Sequence, residues 1–336
     1  MRFSFALPVQ YGLDEPIEQR FAELLELVRA ARDVGFDHLS APQHYLASPF
    51  QYLQPVPLLA RLAAESGDMT LGTGIMLLAL QNPVDVAESI ATLDVISGGR
   101  LIFGVGLGYR DVEFDAFGVK RGTRLGRFLE ALEVVKQLWT QESVTFEGKY
   151  FTLKDVTLTT RPLQQPRPPI VVAASNDKMI RRAATIGDAW AIAGHATFQT
   201  LESQVALYAD ALAAADKPFP PKYFSQGKEL FIAKDMETAR REALPHIATK
   251  YAAYAQWGQD EVMPENETFD LPIEELSENR FIVGDPEHCI EQIELHRSRL
   301  QVQQMGFRLH WPGMSHKTVM EAIALFGERV IPHFRR

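Results

Sequence analysis

The chain alternates, almost from end to end, between short runs patterned as strands and longer runs patterned as helices. Residues 2–7 alternate Phe with Ser and Ala and stop at Pro8, which predicts a strand. Residues 17–34 place Phe21, Leu24, Leu25, Leu27, Val28 and Ala31 at helical spacing and end at Gly35, a residue suited to a helix C-cap. The rhythm continues with strands at 36–41, 69–78 and 100–105 and helices at 56–66, 84–96 and 124–139. Run 69–78 is apolar on both faces, as a strand covered on both sides must be. At 144–158 the period shortens around Glu147-Gly148-Lys149, which predicts a β-hairpin insertion. Strands at 170–174, 188–193, 229–233 and 306–311, with helices at 178–186, 201–215, 236–257, 287–300 and 318–330, complete the pattern. Residues 258–277 are acidic, hold two prolines and have no period, which predicts a mobile lid or a disordered connection.

Eight strand–helix pairs predict a parallel sheet closed into a (β/α)8 TIM barrel. The barrel reads as one domain over 1–336, with a β-hairpin insertion at about 144–160 and a long mobile loop at about 258–278 before the last strand. A hydrophobic fraction of 46% is ample for such a core. The net charge of −9, with no basic cluster, argues against nucleic acid as a partner. A single cysteine, Cys289, can form neither an internal disulfide nor a multi-thiolate metal site. The nine histidines include no HExxH or HxH pair, so no metal is expected; His310, near the last strand, is a candidate to face a pocket. There is no apolar run long enough for a membrane span, and the start reads as a strand, not a signal peptide; a soluble cytoplasmic protein is expected.

A barrel carries its working residues at the C-terminal ends of its strands. Four places qualify. Ala41-Pro42-Gln43-His44-Tyr45 puts an imidazole where general acid–base chemistry could use it, although a loop histidine often only bonds a carbonyl. Gly72-Thr73-Gly74-Ile75-Met76 has glycines inside a strand, which suits either close approach of a flat ligand or a tight barrel contact. Gly104, Gly106 and Gly108 lead into Tyr109 and Arg110; a dinucleotide fingerprint would need a glycine at 109 and an immediate helix, so that reading fails. The run still suits a phosphate or a flavin edge. Ala174, Ser175 and Asn176 open a helix, where capping and phosphate binding use the same geometry. No G-x-S-x-G elbow supports a hydrolase.

Taken together, the segments resemble the bacterial luciferase-like monooxygenases. The resemblance is carried by Gly35-Phe36-Asp37-His38-Leu39 with Gln43-His44, then Asn82-Pro83-Val84, Ala87-Glu88, Leu93-Asp94 and Ser97-Gly98-Gly99-Arg100. It continues through Phe103-Gly104-Val105-Gly106 to Glu113, Phe117-Gly118, Pro168-Pro169-Ile170, Ala183-Ala184, Gly187-Asp188 and Val330-Ile331-Pro332. The resemblance implies a two-component enzyme that takes reduced FMN from a separate flavin reductase and oxygenates a small organic substrate with O2 through a flavin hydroperoxide. His44 would assist the oxygen chemistry. The flavin would lie on Gly74-Ile75, where relatives have a non-prolyl cis peptide, and meet Gly106, Leu107, Tyr109, Ala174 and Asn176. Its phosphate would meet Ser175 and an arginine early in the fourth helix, Arg124 or Arg127. Luciferase itself has an arginine where this chain has Leu107, a gap that Arg110 or Lys178 could fill. Two alternatives remain within the resemblance: a deazaflavin coenzyme with hydride transfer and no oxygen, and flavin binding without catalysis. Relatives also imply a homodimer through the helices at 56–66 and 84–96. Phe50, Tyr52, Tyr109, Phe114, Trp190 and Trp311 are candidates for an apolar substrate wall.

Overall fold

The computed structural model describes every residue except Asn266 and Arg336. Eight parallel strands form its centre: β1 (Arg2–Ala6), β2 (His38–Ala41), β3 (Thr70–Thr73), β4 (Leu101–Gly106), β5 (Ile170–Ala174), β6 (Ala189–Ile192), β7 (Ser225–Ile232) and β8 (Gln304–Arg308). Each pairs with the next, and β8 returns to β1 with Ser4 opposite Gly306, so the sheet closes as predicted. The surrounding helices are α1 (Ile17–Val34), α2 (Pro55–Leu62), α3 (Pro83–Ile96), α4 (Arg124–Thr140), α5 (Asp177–Ile186), α6 (Phe198–Ala213), α7 (Met236–Gln256), α8 (Pro286–Leu300) and α9 (His316–Leu325).

Local chemistry accounts for the helix ends. Gly35 takes φ 100° after α1 and donates back to Ala31. Asn82 accepts from the Val84 amide with Pro83 at the first helical position, and Asp235, Asp285 and Ser315 cap α7, α8 and α9 in the same way. None of the described helices is long and apolar enough to cross a membrane.

The alternation within the strands sorts size as well as polarity. On β1, Phe3 and Phe5 pack outward, Phe3 against Phe326 and Phe334 and Phe5 against Phe36. Ser4 and Ala6 line the interior, as do Ser40, Gly104, Ala173, Ala191 and Gly306. A typical barrel fills its centre with branched side chains. This one places small residues there and leaves a cavity of about 390 Å³.

Several boundaries differ from the sequence expectation. β3 ends at Thr73, and the chain resumes extended structure at Met76–Leu77 only after a cis Gly74–Ile75 peptide. β7 begins four residues early, at Ser225, because its buried positions Gln226 and Lys228 are polar and carry no apolar signal. An antiparallel ribbon of Gln10–Gly12 with Phe50–Tyr52 covers part of the barrel mouth, and Ile282–Gly284 adds a short strand beside β7. The predicted hairpin is present as Val144–Glu147 with Thr152–Val156. Glu130 of α4 holds its turn by accepting from the Lys149 and Tyr150 amides at 3.0 and 2.8 Å.

The 258–277 segment is not structureless. It contains a helical turn at Asp260–Val262 and a short helix at Ile273–Ser277, and it buries Phe269 and Leu276. Glu267 anchors it by accepting from Arg280 Nη2 at 2.7 Å, the Thr197 amide at 2.8 Å and the Thr197 hydroxyl at 2.6 Å. These contacts come from elements far apart in sequence, so periodicity could not reveal them.

Candidate active site

The cavity opens at the C-terminal end of the barrel, and its glycine wall explains the glycines in β3 and β4. A Cβ on Gly104 would lie 2.0 Å from the Thr73 carbonyl oxygen, and one on Gly106 would lie 1.9 Å from Ile75 Cδ1. One on Gly74 would lie 1.8 Å from Ser40 Oγ. Barrel packing therefore demands these glycines. The cis peptide that they accommodate turns Gly74 and Ile75 to the cavity. The packing reading of the run is met by the tight contact behind it, and its other side forms part of the cavity wall.

His44 follows β2 and lines the cavity. Its loop is tied on three sides. Gln43 Oε1 accepts from the Leu77 amide at 2.8 Å, Gln54 Nε2 donates to the His44 carbonyl at 2.8 Å, and Glu113 Oε1 accepts from the Tyr45 amide at 2.9 Å. The same carboxylate lies 3.1 Å from His44 Nδ1. Glu113 sits on the short helix Asp111–Ala116 and is fully buried. With Nδ1 given to Glu113, Nε2 on the opposite edge of the ring is the nitrogen available to a ligand. Burial pulls the His44 pKa below its ordinary value, against the raising influence of Glu113. The imidazole is therefore neutral at pH 7, with Nε2 an acceptor.

Aromatic rings enclose it. Tyr52, Tyr109 and Trp257 have centroids 5.7, 5.8 and 5.2 Å from the His44 ring, and Tyr254 stacks on Trp257 at 5.1 Å. Trp257, just past α7, also donates to the Ser48 carbonyl at 3.0 Å, so the end of α7 closes onto the histidine loop.

Arg110 has a different place from the one expected of a phosphate ligand. Its guanidinium donates to the Tyr45 and Leu46 carbonyls at 2.7 and 3.1 Å and lies 4.0 Å from the Trp257 ring centroid. It clamps the His44 loop and does not line the cavity. Arg127 is also turned away, donating to the Ala79 carbonyl at 3.1 Å beside the Phe151 ring. Arg124 does line the cavity, so of the two arginines it is the one that faces it. Leu107, Tyr109, Ala174, Ser175 and Asn176 line it as well. Asn176 spends its side chain on capping α5, accepting from Met179 N at 3.0 Å. The Ser175 carbonyl accepts from Gln204 at 2.8 Å, which leaves its hydroxyl and amide for a ligand. Lys178 is exposed and outside the cavity.

Of the other aromatic candidates, Phe114, Trp190 and Trp311 are fully buried in the core and do not line the cavity, nor do Phe50, which packs against Trp257, and Tyr52, which meets the edge of the His44 ring. His310 is buried against Tyr11 and outside the cavity. The sequence reading passed over the wall opposite Arg124, where Glu229, Lys250 and Arg308 meet. Glu229 pairs with Lys250 and accepts from Trp311 Nε1 at 2.7 Å, and Arg308 donates to Gln10 Oε1 at 3.1 Å. Only closure of the barrel brings residues 10, 229, 250 and 308 together. Among the described residues no group of three or more His, Cys, Asp or Glu is placed to hold a metal ion.

Comparison with known proteins gives the following. The family described as luciferase-like monooxygenase matches residues 1–303. An F420-dependent glucose-6-phosphate dehydrogenase of Nakamurella multipartita is 26% identical over 98% of this chain and 97% of its own. An F420-dependent hydroxymycolic acid dehydrogenase of Mycobacterium tuberculosis is 28% identical over 94% of this chain and 85% of its own. Among solved structures, the monooxygenase RslO1 of Streptomyces bottropensis superposes with a TM-score of 0.90 at 26% identity, over 99% of this chain and 100% of its own.

Proposed function

The chain belongs to the luciferase-like monooxygenase family, and from that premise we propose that it is a two-component flavin-dependent monooxygenase, taking reduced FMN from a separate reductase and using O2 to oxygenate a small organic substrate. The observation that carries this reading is the aromatic enclosure of a neutral His44, closed by Trp257 and clamped by Arg110. Such an enclosure excludes water from the reacting atoms. Reduced FMN, when bound, supplies the electrons that activate oxygen. The chain fits that group. The face of Gly74, Ile75 and Gly106 accepts a flat ring, while Ser175 and Arg124 offer a hydroxyl, an amide and a guanidinium to its phosphate. Glu113 orients His44, and His44 Nε2 accepts or returns a proton as oxygen is transferred.

Arg124→Met should weaken FMN binding by about tenfold or more, because a charge-assisted contact to phosphate is lost. Arg127→Met should leave FMN affinity within about twofold, since that guanidinium is turned away from the cavity. Fluorescence titration of FMN against both variants checks the pair; similar losses in the two would remove Arg124 from its role.

A second reading, a deazaflavin-dependent oxidoreductase, is favoured by one feature of the same site. A neutral histidine oriented by a carboxylate is also suited to take the proton of an alcohol while hydride leaves its carbon. The relatives from Nakamurella and Mycobacterium are named for such a coenzyme. Rapid mixing of the protein with reduced FMN and oxygenated buffer separates the two. A long-lived absorbance distinct from reduced and oxidised flavin supports the monooxygenase. Immediate oxidation to FMN and peroxide, together with tight binding of the deazaflavin, supports the second reading.

A further inference from the structure

Of the charged side chains near His44, Arg110 and Glu113 hold its loop from behind the cavity, while Lys250 and Arg308 line the cavity together with Glu229. Both carboxylates are already engaged, Glu113 by His44, the Tyr45 amide and Arg110, and Glu229 by Lys250 and the Trp311 indole. Arg308 is left over. Its side chain is only 11% exposed and lines the cavity, and its Nε stands 3.9 Å from Glu229. Of the five N–H donors that a guanidinium carries, the one hydrogen bond found among the described residues is Nη1 to Gln10 Oε1. A guanidinium cannot shed its proton on burial, so a desolvated one needs an acceptor.

Five more polar atoms nearby are buried without a partner among the described residues: Gln10 Nε2, Tyr52 Oη, Tyr109 Oη, Arg110 Nε and Glu113 Oε2. The first four can donate and the last accepts, and of these residues Tyr109 alone lines the cavity. Gln10 and Tyr52 face each other across the ribbon at the barrel mouth, and Tyr52 and Tyr109 flank the His44 ring. Arg308 reaches the same place from β8. The cavity wall beside Arg308 includes Tyr254, which stacks on Trp257 behind it. The flavin phosphate does not account for this corner, because Ser175 and Arg124 follow β5 and β4, across the barrel from β8 and β1.

We propose that this corner is the substrate-recognition subsite and that it selects an organic acid, a small carbon skeleton carrying an ionised oxygen. The oxyanion receives Arg308, and this places the carbon skeleton next to His44 on the same cavity. Calling the bound acid a substrate rests on the monooxygenase reading; the binding itself does not.

The test therefore uses flavin-free protein and no oxygen. Calorimetric titration compares 2-naphthoate with the neutral 2-naphthalenemethanol. Naphthoate should bind about tenfold tighter or more, and Arg308→Met should abolish that preference while keeping affinity for the alcohol. Equal affinity for the two probes in the unaltered protein overturns the proposal, and so does a preference that survives Arg308→Met. Failure of the oxygenase reading would show instead in the rapid-mixing experiment, with this selectivity intact.

Discussion

His44→Ala is expected to lower turnover by about 10²–10³-fold while FMN affinity stays within about threefold, because the ring acts on a proton and does not hold the phosphate. The structure explains why the loss should be that large. Glu113 fixes Nδ1, four aromatic rings restrict the imidazole, and Nε2 is left as an acceptor in a dry enclosure. The pH dependence follows from the same environment. Burial lowers the His44 pKa, so the neutral, proton-accepting form persists through neutral pH, and turnover should fall only below the ordinary histidine range. Glu113→Gln keeps the shape but removes the carboxylate that stabilises the protonated ring, so it should move the acid limb lower and reduce kcat by less than His44→Ala does. Turnover at saturating reduced FMN, FMN titration and a pH–rate profile check these statements. Equal losses of turnover and affinity in His44→Ala would refute the catalytic assignment.

The second large effect concerns one hydrogen atom. Gly104→Ala should destabilise the protein by about 3 kcal/mol, at the upper end for overpacking, and weaken FMN binding with it. The new methyl carbon would stand 2.0 Å from the Thr73 carbonyl oxygen, a backbone atom that cannot rotate away. Thr73 and Gly104 are also joined by two hydrogen bonds, Thr73 Oγ1 to the Gly104 carbonyl at 2.7 Å and the Gly104 amide to Thr73 Oγ1 at 2.9 Å. Separating them disturbs the support of the Gly74–Ile75 peptide that faces the cavity. Gly122→Ala is the matched control, since a Cβ there meets nothing within 4 Å. Urea denaturation of both variants decides the matter; comparable stabilities would show that the β3–β4 contact is slack.

The site was legible in the sequence in proportion to how locally each residue does its work. His44 and Ser175 stood out because a barrel strand ends just before each of them, and strand ends are visible in the pattern. Arg124 could not be separated from Arg127, because three residues on one helix differ by about 60° in facing, and only the packed helix shows which one turns to the cavity. Arg110 looked like a phosphate ligand from its glycine-rich neighbourhood, yet its guanidinium serves carbonyls at 45 and 46. Glu113 was present in the family pattern without a role, since its partner lies 69 positions away.

What the sequence determined by itself is the barrel. Period-2 runs of four to eight residues, period-3.6 runs and side-chain caps are all properties of neighbouring residues, and eight such pairs admit few closed arrangements. What only the tertiary structure decided is the balance of charge around His44. Gln10, Tyr52, Glu229, Lys250 and Arg308 come from separate parts of the chain and meet where the sheet closes. Electrostatic and hydrogen-bond energies depend on distance in space and on burial, neither of which is a property of sequence spacing, so that site had no local signal to read.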